Sequence, residues 1–244
     1  MTDAPGVPAP NGVPAPSGQL PGGLAPLEDV APPAPRVPGS VGILGGTFDP
    51  IHHGHLAIAE ETRETLGLER VLLVPAASPP HKPGRPVTEA AHRLAMTRLA
   101  VEDNPSFAVS GLEVERGGAS YTVDTLEALA ASGIVEPWFI LSAEALADFA
   151  SWRSPDRILA LCRLAVVPRG GYEPLDAAWI GERFPGREDR VRFLPGPLLP
   201  ISGSVVRRRA AVGRSVRYLV PDAVARYIAH HQLYIDPSWR TQTT

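Results

Sequence analysis

From Val41 onward the chain repeats one pattern: a short apolar run, a stretch with helical spacing of its apolar residues, then another short apolar run. Runs of this length suit strands buried on both faces, and the helical stretches supply the crossovers that parallel strands require. The pattern predicts βαβ units and an open, parallel α/β sheet, whose ligands bind outside the carboxyl ends of the strands. Expected strands cover residues 41–44, 70–74, 107–115, 138–141, 164–167 and 191–194. Expected helices cover 56–66, a segment N-capped near Thr88, 122–131, a segment with Ser154 as N-cap and Pro155 at N1, a segment from Ser202 or Ser204, and 221–231.

Composition bounds this picture. The 244 residues suit one domain with a modest extra segment, and 44% hydrophobic residues suffice for a sizeable core. A net charge of −3 gives no global basic field for nucleic acid. The one cysteine, Cys162, excludes an internal disulfide, and its apolar surroundings read as a small buried side chain. No apolar run reaches the roughly 18 residues of a membrane span. The N-terminus lacks the basic start and apolar stretch of a signal peptide, so a cytoplasmic location is expected. Residues 1–39 are dominated by Pro, Ala and Gly and carry only Asp3, Glu28, Asp29 and Arg36 as charges. They bury too little apolar surface to offset their ordering entropy and read as a disordered extension. The folded domain is expected over residues 40–235, with a helical C-terminal part at about 201–235 and a tail over 236–244.

One segment concentrates chemistry. Gly45-Gly46-Thr47-Phe48-Asp49-Pro50-Ile51-His52-His53-Gly54-His55 joins the first strand to the first helix. Its glycines let backbone approach a ligand closely, and the free N–H groups at a helix start attract phosphate. His52 and His55 can point both rings at one anion, each donating a hydrogen bond. A metal site at His52, His53 and His55 lacks a nearby Cys or suitably spaced carboxylate. A structural turn with incidental histidines is the plainer alternative. The segment has neither the Lys of a P-loop nor the glycine spacing of a dinucleotide fingerprint. Far downstream, Ile201-Ser202-Gly203-Ser204-Val205-Val206-Arg207 offers serines at a helix start and an Arg one turn in. This is a second phosphate-binding end, or an N-cap followed by solvated arginines.

These two segments resemble the signatures of the nucleotidyltransferase superfamily. Pro79-Pro80-His81-Lys82, Ser120-Tyr121-Thr122-Val123-Asp124-Thr125-Leu126, the stretch from Ala143 to Trp152, and Val166-Val167-Pro168-Arg169-Gly170-Gly171-Tyr172 narrow the likeness. Together with Tyr218 to Asp222 and Leu233-Tyr234, they resemble bacterial nicotinate-nucleotide adenylyltransferases over residues 41–235. The resemblance implies a Rossmann-like open parallel sheet with helices on both faces and a small C-terminal helical subdomain. It implies transfer of AMP from ATP to nicotinate mononucleotide, giving deamido-NAD and pyrophosphate.

It also implies roles. His52, His55 and Arg207 would act on the phosphates that change charge. Gly46, Thr47, Phe48, Ser142, Glu144, Ile201 and Ser204 would hold ATP. Lys82, Tyr121, Thr122, Trp152 and Arg169 would hold the mononucleotide, with Trp152 stacked on the pyridine ring. Tyr121 and Trp152 could instead simply pack, and Arg169 could be a surface charge. Of the 23 basic residues only Lys82 is a lysine. The chain departs from the pattern at Ser142 and Glu144, where relatives carry Gly and Asp, at Gly203-Ser204, where they carry Ser-Thr, and at Gly170, where they carry Pro.

No Ser/His/Asp triad or nucleophilic Cys is visible, which accords with direct in-line attack on the α-phosphate. Mg²⁺ would arrive on ATP, with no tightly bound cofactor. Expected partners are ATP and nicotinate mononucleotide, without nucleic acid or membrane. Rival acceptors are nicotinamide mononucleotide, phosphopantetheine or a cytidylyltransferase substrate pair. A catalytically silent nucleotide-binding regulator is the rival from another class.

Overall fold

The computed structural model describes residues 32–79, 86–170 and 175–240. Six parallel strands, β1 (Val37–Gly46), β2 (Leu68–Pro75), β3 (Phe107–Val109), β4 (Trp138–Ser142), β5 (Arg163–Val167) and β6 (Val191–Phe193), form one sheet. Their order is β3-β2-β1-β4-β5-β6, so the winding reverses between β1 and β4. A crevice opens at such a switch point, beyond the carboxyl ends of the two strands.

Side-chain alternation builds a core on each face of the sheet. Leu44, Ile140, Ala165 and Val167 enter one core, whereas Ile43, Phe139, Leu141, Leu164 and Val166 enter the other. Successive strand residues point to opposite faces, so a strand covered on both sides reads as an unbroken apolar run. Helices α1 (His53–Leu66), α2 (Ala90–Val101), α8 (Gly203–Ala211) and α9 (Asp222–His230) contribute to the first core through Ala59, Met96, Val206 and Val224. The second core takes Leu126 of α4 (Thr122–Ala131), Leu146 of α5 (Ala143–Ala147), Ile158 of α6 (Pro155–Leu161) and Ile180 of α7 (Ala177–Arg183). Each of these side chains larger than alanine contributes roughly 1.5–3 kcal/mol on full burial. The expected α/β class, with helices on both faces, is the one observed.

Several boundaries differ from expectation. The strand expected over 107–115 ends at Val109, and α3 (Leu112–Arg116) follows it. The apolar alternation ends where Gly111 takes the N-cap position and Ser110 Oγ accepts the Leu112 amide at 3.2 Å. Thr88 does not cap α2; its amide donates to Asp49 Oδ2 at 3.2 Å, and Glu89 is the N-cap. Ser154 is the N-cap of α6 but makes no side-chain cap bond, with its backbone left-handed at φ 56°. Cys162 is fully buried, donates to the Ile158 carbonyl, and has its pKa pushed up to about 12 by that burial.

Residues flanking 40–235 also make defined contacts. The Ala34 amide donates to the Glu64 carbonyl at 3.0 Å and the Val37 amide to the Gly67 carbonyl at 2.8 Å. Chain before residue 40 is therefore tied to the end of α1 and the turn into β2. At the other end, Pro237–Arg240 forms a 3₁₀ turn in which Trp239 is buried. Residues 1–31, like Lys82 and Tyr172, lie outside the described residues. Among the described residues, no helix is long and apolar enough to cross a membrane.

Candidate active site

The loop from Gly46 to His53 leaves β1 at the switch point and enters α1. Gly46 is required by close approach: a Cβ there would lie 2.9 Å from the ring of Phe48. Phe48 folds back onto it and is buried at φ 47°, in the left-handed region. A non-glycine residue adopts that conformation only where its surroundings over-determine it.

Those surroundings are specific hydrogen bonds. Arg93 of α2, 1% exposed, donates to the carbonyls of Thr47, Ala77 and Thr88, each at 2.7 Å. It thereby joins the loops after β1 and β2 to the approach to α2. Burial lowers its pKa from the usual guanidinium value. Asp49, also buried, accepts the Tyr234 hydroxyl at 2.8 Å on Oδ1 and the Thr88 amide on Oδ2. The Asp49 carbonyl accepts Arg207 Nη1 from α8. The His53 amide donates to the Leu219 carbonyl at 3.0 Å, so the segment between α8 and α9 also holds the loop.

His52 and His55 come together as their spacing suggests. Their rings stack at 3.7 Å with planes 20° apart, and Phe48 meets His55 edge-on at 5.0 Å. The two are not equivalent. His55 is half-buried and lines the central cavity, whereas His52 is 5% exposed. Burial, then the charges of Arg169 and His53, lowers the His52 pKa from 6.5 to about 3, so its ring is neutral near pH 7. His52 Nδ1 is buried with no hydrogen-bond partner among the described residues. The His52 backbone amide donates to His55 Nδ1 at 3.3 Å. With Nδ1 accepting, the proton of a neutral His55 ring sits on Nε2.

The central cavity, about 320 Å³, lies at the ends of β1 and β4. Gly46, Thr47, His55, Thr122, Trp152 and Arg169 all contribute to its wall. Tyr121, Thr122 and Trp152 also line a neighbouring cavity of about 260 Å³. Arg169 and Ile201 line a third, of about 340 Å³, on the other side. Thr122 opens α4 and lines the cavity, and the N-cap Tyr121 provides no side-chain cap, which leaves the first amides of this helix without one. Trp152 both packs, at 6.2 Å on Phe139 and 5.3 Å on Phe149, and lines the cavity.

The departures at Ser142 and Glu144 have local accounts. Ser142 Oγ accepts the Ala145 amide at 3.2 Å and so caps α5. Glu144 Oε2 lies 3.4 Å from Arg169 Nε, pairing two residues that the resemblance assigns to different substrates. Gly203 is required where it stands, because a Cβ would fall 2.7 Å from the Asp49 carbonyl oxygen. Ser204 is buried at 3.0 Å from Ser202 Oγ, and Ser202 caps α8.

Two contributors escape sequence inspection. An arginine within a helix reads as solvated, so nothing in the pattern around Arg93 signals its three carbonyl bonds. Glu113 is buried in the cavity wall and accepts the Thr125 hydroxyl at 2.5 Å, joining α3 to α4. Among the described residues, no group of three or more His, Cys, Asp or Glu could hold a metal ion.

The cytidylyltransferase-like family profile matches residues 43–209. A protein of Roseiflexus sp. (strain RS-1), named "Probable nicotinate-nucleotide adenylyltransferase", is 50% identical over 194 residues, covering 80% of this chain and 97% of its own. A Thermomicrobium roseum protein of the same name is 50% identical over 195 residues, covering 80% and 91%. The structure of Plasmodium falciparum nicotinic acid mononucleotide adenylyltransferase complexed with NaAD superposes with a TM-score of 0.66 at 19% identity. It covers 80% of this chain and 97% of that one.

Proposed function

Since this chain belongs to the cytidylyltransferase-like family, and within it to the nicotinate-nucleotide adenylyltransferases, we propose that its switch-point cavity transfers AMP from ATP to nicotinate mononucleotide. The products are deamido-NAD and pyrophosphate. One observation carries the assignment of the site. The β1–α1 loop with His55, the start of α4, Trp152 and Arg169 converge on one cavity at the ends of β1 and β4.

A 5′-phosphate oxygen of the mononucleotide attacks the α-phosphorus of ATP, and the bond from that phosphorus to the β-bridging oxygen breaks. Pyrophosphate carries away the bonding pair. The protein needs to supply placement and charge compensation rather than a nucleophile. Backbone at Gly46, Thr47 and Phe48 cradles the triphosphate, with His55 Nε2–H donating to the phosphate oxygen that gains charge. Neutral His52 backs that ring, and Ser204 and Arg207 serve the phosphates from α8. Ile201 and the cavity it shares with Arg169 take the adenosine side, near Ser142 and Glu144. Magnesium enters bound to ATP oxygens and water, the ligands this hard cation prefers.

On the acceptor side, Arg169 takes the mononucleotide phosphate, and Lys82 is assigned there by resemblance alone. Trp152 and Tyr121 enclose the pyridine ring, and the first amides of α4 donate to its carboxylate. An amide in that place would set an NH₂ group against backbone N–H groups, costing roughly 1–3 kcal/mol. In a single-turnover mixture with ATP labelled at the α-phosphate, label should pass to the dinucleotide with one pyrophosphate released per product. It should at no time appear on the protein. A labelled protein intermediate, sought under an alkaline quench that preserves histidine phosphoramidates, would overturn direct transfer.

A further inference from the structure

The 3₁₀ turn Pro237–Arg240 lies beyond every segment that carries the resemblance, yet it reaches the phosphate-binding side of the site. Trp239 is 9% exposed and lies in the core with Val206, which is on α8 beside Arg207. The Arg207 guanidinium carbon sits 5.1 Å from the centre of the Trp239 ring, over its face. The same guanidinium donates through Nη1 to the Asp49 carbonyl. Tyr234 meets Trp239 edge-on at 5.3 Å and donates its hydroxyl to the carboxylate of that same Asp49. Tyr234 is itself buried and held at φ 66°, a left-handed conformation that a residue with a Cβ rarely adopts. The turn is built locally, with the Ser238 amide on Asp236 Oδ1 at 2.7 Å and the Trp239 amide on the Asp236 carbonyl at 3.1 Å.

These contacts form a closed ring: Asp49, Arg207, Trp239, Tyr234 and back to Asp49. An arginine side chain left to itself samples many rotamers, and ordering it opposes ligand binding. An indole face on one side and a backbone carbonyl at one nitrogen leave the guanidinium little freedom to rotate. Its other N–H groups then point in one fixed set of directions. Cation–π attraction favours this stacked arrangement, more so when the pair is shielded from water.

We propose that Trp239 is a positioning residue for Arg207, so that the end of the chain sets the geometry with which α8 meets the triphosphate. The proposal rests on the assignment of Arg207 to the ATP phosphates. Trp239 itself touches no substrate.

Trp239→Leu keeps apolar volume but removes the ring face, and Trp239→Phe keeps a smaller face. Both are to be measured in the full chain for melting temperature, KM for ATP, KM for nicotinate mononucleotide and kcat, alone and combined with Arg207→Ala. Trp239→Leu should raise KM for ATP and lower kcat by a combined factor of about 10–50, leaving KM for the mononucleotide within twofold. Trp239→Phe should recover most of the loss. In the Arg207→Ala background, Trp239→Leu should add less than a twofold effect, since there is nothing left to position. A folded Trp239→Leu protein with wild-type kinetics beside an impaired Arg207→Ala protein would overturn the positioning role alone. So would a full Trp239→Leu effect in the Arg207→Ala background, or a loss that Trp239→Phe does not relieve. Wild-type kinetics for Arg207→Ala would overturn the assignment of Arg207 and the proposal together.

Discussion

The hydrogen bond from the His52 amide to His55 Nδ1 fixes which His55 nitrogen can donate, so a residue at the mouth of α1 acquires a defined chemical direction. Its bond to phosphate should strengthen as charge builds in the transition state. His55→Ala should therefore lower kcat by about 10²–10³, the usual effect of losing one such donor, while ATP affinity falls far less. Melting temperature and kcat on one preparation distinguish this from a structural role, which would lower stability and spare turnover. His52 makes a different prediction. Its native pKa of about 3 lies below the unfolded value of 6.5, so between those limits the unfolded chain binds a proton that the folded site refuses. Stability should thus be undiminished by this group above pH 6.5 and fall as pH drops through the window, by roughly 2 kcal/mol at pH 5. Chemical denaturation of wild type and His52→Asn at pH 7 and pH 5 checks this. The variant should lose less stability than wild type over that interval, and equal losses would contradict the buried, neutral ring.

Between elements, Arg93 joins the loops after β1 and β2 to the segment leading into α2. Arg93→Met would leave three carbonyls without their donor and should cost about 3–5 kcal/mol. Arg93→Lys should recover only part of that, because a point-like ammonium cannot span all three acceptors. KM for ATP should rise in both, since the Thr47 carbonyl belongs to the loop proposed to receive the triphosphate. A denaturation midpoint for Arg93→Met within experimental error of wild type would contradict the clamp. The elements themselves were legible to differing degrees. Helix α4 runs over the residues its spacing indicates, and β4 and β5 extend only one residue beyond their apolar runs. At 107–115 the apolar alternation fits a strand on paper, but Gly111 and Ser110 start a short helix within it. Arg93, Trp239 and Tyr234 were not legible as parts of the loop's support. Arg93 meets ordinary backbone carbonyls, Tyr234 reaches Asp49 185 residues away, and Trp239 meets Arg207 of another helix; no local pattern encodes such pairings.

For the molecule as a whole, the parallel sheet with its reversal between β1 and β4 brings together segments as distant as Gly46 and Arg169. The glycine-histidine loop was readable because its chemistry is local: strand end, close-approach glycines and helix start adjoin in sequence. The proposed acceptor side was readable only through resemblance, since that part of the cavity wall is assembled from α4, Trp152 and the residues just after β5. In the proposed function, the first amides of α4 distinguish this acceptor from those of other adenylyl transfers. The most direct test is pyrophosphate release with ATP and, in turn, nicotinate mononucleotide, nicotinamide mononucleotide and phosphopantetheine, compared as kcat/KM. Nicotinate mononucleotide should exceed its amide by at least tenfold, and phosphopantetheine should give no release above background. Equal use of acid and amide would contradict the acceptor assignment, and ATP binding without pyrophosphate release from any of the three would contradict the enzyme.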